Sequence, residues 1–166
     1  MRLYLVQHGE ARTEQEDPER SLTARGVADV RRVAGVAAAA GITAARIFHS
    51  GKTRAGQTAE AWAEVLGAPL EVAEGLAPRD DPSVWTRRLT TERGDVLLVG
   101  HLPNLARLAA ELVADDQERP VVAFQPGGLV GLEQSETGWS VALVLPPAVC
   151  PPSGACPEAK NPYDNS

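Results

Sequence analysis

Asp95-Val96-Leu97-Leu98-Val99-Gly100-His101 is a near-continuous apolar run that ends in glycine and histidine. An unbroken aliphatic run has no polar face to offer water, so it reads as a strand buried on both faces of a sheet. The chain opens on the same logic with Leu3-Tyr4-Leu5-Val6-Gln7-His8-Gly9-Glu10, where an apolar strand delivers an imidazole, a glycine and a carboxylate to its carboxyl end. Arg46-Ile47-Phe48-His49 and Leu70 to Val72 read as two further short strands.

Helical spacing fills the intervals. Thr23 is placed as an N-cap before Val27, Val30, Ala34 and Ala37, which predicts an amphipathic helix from Ala24 to about Ala40, ended by Gly41 and weakened by Gly26 in its first turn. Arg54 opens a second helix with Ala55, Ala59, Trp62 and Leu66 on one face, closed by Gly67. Asp81-Pro82 caps a third helix that carries Val84, Trp85 and Leu89 and closes at Gly94-Asp95. Pro103, at a first helical position, starts a fourth with Leu105, Leu108, Ala109 and Leu112 facing inward. Beyond it, Val121 to Phe124, Leu129 to Leu132 and Trp139 to Leu145 read as strands, the last two joined by a turn at Glu136-Thr137-Gly138.

This alternation predicts an α/β fold: a three-layer α/β/α sandwich with a mostly parallel central sheet and antiparallel strands from the C-terminal hairpin. Residues 1–145 are expected to form one catalytic domain, and 146–166 a Pro-rich, disordered tail.

Composition narrows the function. With 166 residues, 43% of them hydrophobic, and a formal net charge of −6, the chain reads as a soluble globular domain without the basic stripe of a nucleic-acid binder. A phosphate site on it must be a local positive pocket. No apolar run reaches transmembrane length and the opening run is too short for a signal h-region, so a cytoplasmic protein with no membrane partner is expected. Cys150 and Cys156 both fall in the tail, outside the expected core, and are expected to be reduced. No metal-ligand spacing links His8, His49 and His101, so neither a metal nor another cofactor is called for, and His49 reads as structural.

Ligands of parallel sheets bind beyond the carboxyl ends of the strands, where His8, the Ser50 to Arg54 turn and His101 all fall. A neutral imidazole with one free nitrogen can attack phosphorus, its other nitrogen donating to a carbonyl that fixes the tautomer. Arg54 at a helix start supplies a planar cation beside free backbone N–H groups, and His101 a second donor. Such chemistry is positioning and charge stabilisation, which these side chains can provide.

Three motifs in order, Gln7-His8-Gly9-Glu10-Ala11, Ser50-Gly51-Lys52-Thr53-Arg54-Ala55-Gly56-Gln57-Thr58-Ala59 and Gly100-His101-Leu102-Pro103-Asn104, resemble the histidine phosphatase (phosphoglycerate-mutase-like) superfamily. The length and the Gly-His-Leu-Pro form resemble its short branch, the SixA-type phosphohistidine phosphatases. The resemblance implies that His8 is the nucleophile and that Arg54 and His101 are its catalytic partners. Gln7, Gly9, Ser50 and Asn104 become candidate phosphate-binding positions. It also expects arginine where Gln7 stands, which removes one positive charge from the pocket; Lys52 and Arg12 are the candidates to replace it. A general acid is sought among Glu74, Asp80, Asp81 and Glu10.

The expected reaction is hydrolysis of phosphohistidine on a protein through a covalent intermediate on His8. The alternatives are a small-molecule phosphomonoesterase and, because of Gln7, a degenerate phosphate-binding module. The expected partner is accordingly a phosphorylated protein or a small phosphate ester.

Overall fold

The computed structural model describes residues 1–152. Six strands, β1 (Arg2–Gln7), β2 (Arg46–His49), β3 (Leu70–Val72), β4 (Val96–Gly100), β5 (Leu129–Ser135) and β6 (Gly138–Leu145), form one sheet in the order β3-β2-β4-β1-β5-β6. The first four are parallel, and β5 and β6 add an antiparallel hairpin at the β1 side. Four helices, α1 (Ala24–Ala39), α2 (Thr53–Leu66), α3 (Ser83–Leu89) and α4 (Asn104–Ala114), complete the α/β fold.

Side-chain alternation along the buried strands splits the core between the two faces. Tyr4, Val6, Ile47, Leu97 and Val99 pack with Val30, Val33, Ala59 and Trp62 from α1 and α2. Leu3, Leu5, Phe48, Val96 and Leu98 pack on the other face with Trp85, Leu89, Leu105 and Leu108 from α3 and α4. All five residues of β4 are buried, as an unbroken apolar strand at the centre of a sheet requires.

Four expectations need correction. Val121 to Phe124 is not a strand. Val121, Val122 and Phe124 pack against the second core cluster as irregular chain between Pro120 and Pro126, while β1 is already paired on both sides, with β4 and β5. The third helix ends at Leu89, well before Gly94. Gly26, read as a weakness of α1, is a requirement: a Cβ there would overlap the backbone of Glu10, which crosses the first turn of the helix.

The last correction concerns the tail. A 3-10 turn at Pro147–Val149 follows β6, Pro147 accepts a hydrogen bond from Arg32 at 3.2 Å, and Cys150 is only 5% exposed within the α1 and α2 core. Apolar contact thus carries the fold a few residues beyond Leu145. Cys156 and the rest of the tail lie outside the described residues.

Candidate active site

Register brings the site together. Gln7 pairs with Gly100 across β1 and β4, and His49 with Val99 across β2 and β4, so three strands stop at nearly one level. The His8 amide prolongs the ladder to the Gly100 carbonyl at 3.1 Å. His8, Ser50 and His101 leave that edge side by side, and Arg54 reaches it from the first turn of α2.

His8 Nδ1 lies 2.8 Å from the Gly9 carbonyl. A carbonyl only accepts, so Nδ1 carries the proton and Nε2 is left unprotonated, with a lone pair that can accept a hydrogen bond or attack. Arg54 Nε donates to that Nε2 at 3.3 Å. Burial, and then the charges of Arg54 and Arg20, lower the His8 pKa, partly offset by the bond to Gly9. The ring is thus neutral near pH 7, the state a nucleophile needs.

The His101 ring sits 4.9 Å from that of His8, tilted by 56°. It is 2% exposed, and its Nε2 lies 2.7 Å from Ser50 Oγ. Burial first, then the neighbouring His8, Arg54, Lys52 and Arg20, push its pKa down to about 3. His49, by contrast, turns away from the pair: its Nδ1 accepts the Gly51 amide at 3.2 Å and its ring lies beside Gly56 on α2.

The remaining phosphate-binding candidates divide. Gln7 Oε1 is buried without a partner, as are His101 Nδ1 and Asn104 Oδ1. Three polar atoms without a partner among the described residues, at the ends of β1 and β4 and the start of α4, are costly unless water or a ligand meets them. Asn104 is fully buried and donates from Nδ2 to the Asp80 carbonyl at 3.0 Å, so it ties the 74–81 loop to the start of α4. The Gly9 amide donates to Thr58 Oγ1 at 3.0 Å, and a Cβ on Gly9 would stand 2.8 Å from Val30. Glycine is therefore needed there for the approach of α1, not to admit a ligand, and its N–H is already in use.

Among the acid candidates, Asp80 Oδ2 accepts from the amides of Gly75 and Ala77 at 3.0 and 2.9 Å, which closes its own loop. Asp81, just before α3, accepts from the hydroxyl and amide of Ser83, and its pKa is lowered by those bonds. Glu10 accepts from Thr23 Oγ1 at 2.8 Å. The Glu74 carboxylate is exposed and accepts no hydrogen bond among the described residues. It lines, with Ser50, Gly75, Asp80, Asp81 and Val84, a cavity of about 560 Å³.

On another side of Arg54 the walls carry three cations and two carboxylates, Glu14 and Glu19. Arg20, Lys52 and Arg54 line a second cavity of about 380 Å³ with Gly51 and Thr53. Sequence reasoning missed Arg20, because nothing in a polar surface loop distinguishes one arginine from another until the chain folds. It also missed Thr58, whose hydroxyl accepts from Gly9 and donates to the Arg54 carbonyl at 2.7 Å, so one side chain sets both motifs against each other. Among the described residues, no group of three or more His, Cys, Asp and Glu side chains is placed to hold a metal ion, and no helix is long and apolar enough to cross a membrane.

The profile of the histidine phosphatase superfamily (branch 1) matches residues 3–88. The chain belongs to that family. Its fold is that of the protein histidine phosphatase SixA in complex with tungstate, at a TM-score of 0.79 and 24% identity over 89% of this chain and 98% of that one. It is also similar to a candidate phosphohistidine phosphatase SixA from Agrobacterium tumefaciens, with a TM-score of 0.72 and 26% identity over 87% and 97% of the two chains. The α-ribazole phosphatase of Shigella flexneri has the same fold, at a TM-score of 0.70 and 16% identity over 89% and 97%. No protein of curated function matches the chain by sequence.

Proposed function

We propose that the protein hydrolyses phosphohistidine on a partner protein in two displacements at His8. His8 Nε2 attacks phosphorus, the P–N bond of the substrate breaks, and its imidazole leaves with a proton from solvent or an acid on the cavity wall. Water then attacks the phospho-His8 phosphorus, the P–Nε2 bond breaks, and inorganic phosphate departs while His8 recovers its lone pair. The observation that carries this reading is the His8 tautomer: Gly9 holds the proton on Nδ1 while Nε2 faces the Arg54 guanidinium.

Arg54 stabilises charge on the equatorial oxygens, and the Ser50–His101 pair offers hydrogen bonds from the opposite side. The imidazole leaving group supports a nitrogen-linked substrate. It departs with less proton assistance than an alkoxide, and three of the four candidate acids here are engaged in hydrogen bonds of the fold. The cavity beside Ser50 is bounded by the short segment between β3 and α3, which leaves room for a protein side chain to enter.

Turnover of a phosphohistidine-bearing protein is compared with that of small phosphate esters, with His8→Ala as control. The reading expects phosphohistidine to be processed with the higher kcat/KM. Faster hydrolysis of small esters would sink the protein substrate, and turnover that survives His8→Ala would sink the mechanism.

A further inference from the structure

We propose that Arg20 is the second phosphoryl-binding arginine of this protein, delivered from the 11–21 loop to the cavity that Arg54 lines, in a chain whose position 7 carries glutamine. The inference rests on the phosphoryl-transfer reading above and assigns a residue that the family's motif does not.

The loop is built to hold this side chain in place. Its ends are joined by the Ala11–Leu22 bridge and by the Arg12 amide on the Ser21 carbonyl at 2.9 Å. Asp17 organises the interior, accepting from the amides of Glu19 and Ser21 and from the Ser21 hydroxyl. The Leu22 amide donates to Gln57 of α2 at 2.8 Å, and Thr53 at the start of α2 donates to Glu19 at 3.0 Å, so the loop is fastened to the helix that carries Arg54. Arg20 itself has a φ of 50°, a left-handed conformation uncommon for a non-glycine residue.

The guanidinium is anchored by Nε on the Arg12 carbonyl at 3.3 Å, and no other hydrogen bond of its side chain occurs among the described residues. Neither Arg20 nor Arg54 has a described carboxylate within 4.0 Å of its guanidinium, although the chain carries 22 Asp and Glu residues. Both arginines line the same cavity, whose other walls are Glu14, Pro18, Glu19, Gly51, Lys52 and Thr53. Of the two carboxylates there, Glu19 is engaged by Thr53, and Glu14 forms no ion pair with either arginine. Burial is the main cause of the lowered pKa values of His8, Arg54 and His101, and the charge of Arg20 adds a smaller push in the same direction to each. Two cations held near each other without a counter-ion repel, and a phosphoryl dianion removes that repulsion. Arg12, the other loop arginine, is exposed, and its carbonyl serves Arg20.

Tungstate, a phosphoryl mimic, is titrated calorimetrically into the full chain and into Arg20→Gln, Arg12→Gln, Gln7→Arg and the Gln7→Arg/Arg20→Gln double variant, with thermal melts of each. Arg20→Gln is expected to weaken tungstate at least tenfold while still folded at the titration temperature, and Arg12→Gln to stay within twofold. Gln7→Arg is expected to strengthen binding more in the Arg20→Gln background than in the wild type, since each arginine would do the other's work. Binding by Arg20→Gln within twofold of wild type, or an equal gain from Gln7→Arg in both backgrounds, overturns the assignment and leaves the phosphatase reading intact. A wild-type protein that fails to bind tungstate overturns both.

Discussion

The two cavities that flank the histidine pair differ in how their charges are used. On the Arg20, Lys52 and Arg54 side no described carboxylate forms an ion pair with the cations. On the Glu74, Asp80 and Asp81 side two of three carboxylates are engaged by amides and a hydroxyl of their own loop. The first wall carries cations that its own carboxylates, Glu14 and Glu19, leave unpaired, and the second is mostly scaffold. A protein of net charge −6 can thus hold a phosphoryl site, because pairing in the immediate neighbourhood sets the local field.

Substitutions on the two sides should therefore fail in different ways. On the proposed mechanism Arg54 stabilises charge on the reacting oxygens, so Arg54→Gln is expected to lower kcat/KM by about 10²–10³-fold with little change in melting temperature. Steady-state kinetics alongside a thermal melt checks both halves of that statement. Asp80→Ala should do the reverse. It leaves the Gly75 and Ala77 amides without their acceptor and is expected to cost about 1–3 kcal/mol in denaturant unfolding. Any rate loss should be regained under conditions that keep the variant folded; a loss that persists in fully folded protein would move Asp80 from scaffold to chemistry.

Glu74→Gln sharpens the contrast further, because this carboxylate alone on its wall is free. If it assists departure of the leaving group, an aryl or alkyl phosphate ester should lose about tenfold in kcat and phosphohistidine less. Equal losses on both substrates would point to binding instead. The smallest effect near neutrality is on pH stability. His101 stays neutral in the folded protein down to about pH 3, whereas an unfolded histidine protonates near pH 6.5. The unfolded state therefore binds more protons across that window, so stability is intact above about pH 6.5 and is lost as pH falls toward 3, by up to about 1.4 kcal/mol per pH unit for one histidine. His101→Asn should make the measured slope of unfolding free energy against pH shallower in that range.

Most of the sheet was legible because its strands are short apolar runs with sharp ends: Arg46–His49 and Leu70–Val72 fall where composition alone puts them. Thr23 caps α1 as expected, its hydroxyl accepting the Gly26 amide at 2.9 Å. Val121 to Phe124 misled because strand propensity does not distinguish a paired strand from irregular apolar chain that packs on the core, which is what Val121, Val122 and Phe124 do. Cys150 misled for a related reason, since prolines mark irregular backbone and say nothing about what that backbone packs against.

At the site, motif spacing led to His8, Arg54 and His101, which the fold does gather at one edge. Hydrogen bonding then decides which of the nominated residues have atoms to spare. Gly9, Asp80, Asp81 and Glu10 are occupied and Glu74 is free, distinctions that depend on contacts between residues far apart in the chain. Arg20 was out of reach for the same reason.

The claim on which the mechanism stands is that His8 becomes phosphorylated. A phosphohistidine-bearing protein labelled on phosphorus is mixed rapidly with the enzyme, quenched in alkali, where a phosphorus–nitrogen bond to imidazole survives, and the enzyme is digested and mapped. Label on His8 that appears and decays at rates compatible with kcat, and is missing from His8→Ala, is the predicted result. Full turnover with no label on His8 at any time, or label and turnover retained in His8→Ala, would contradict it.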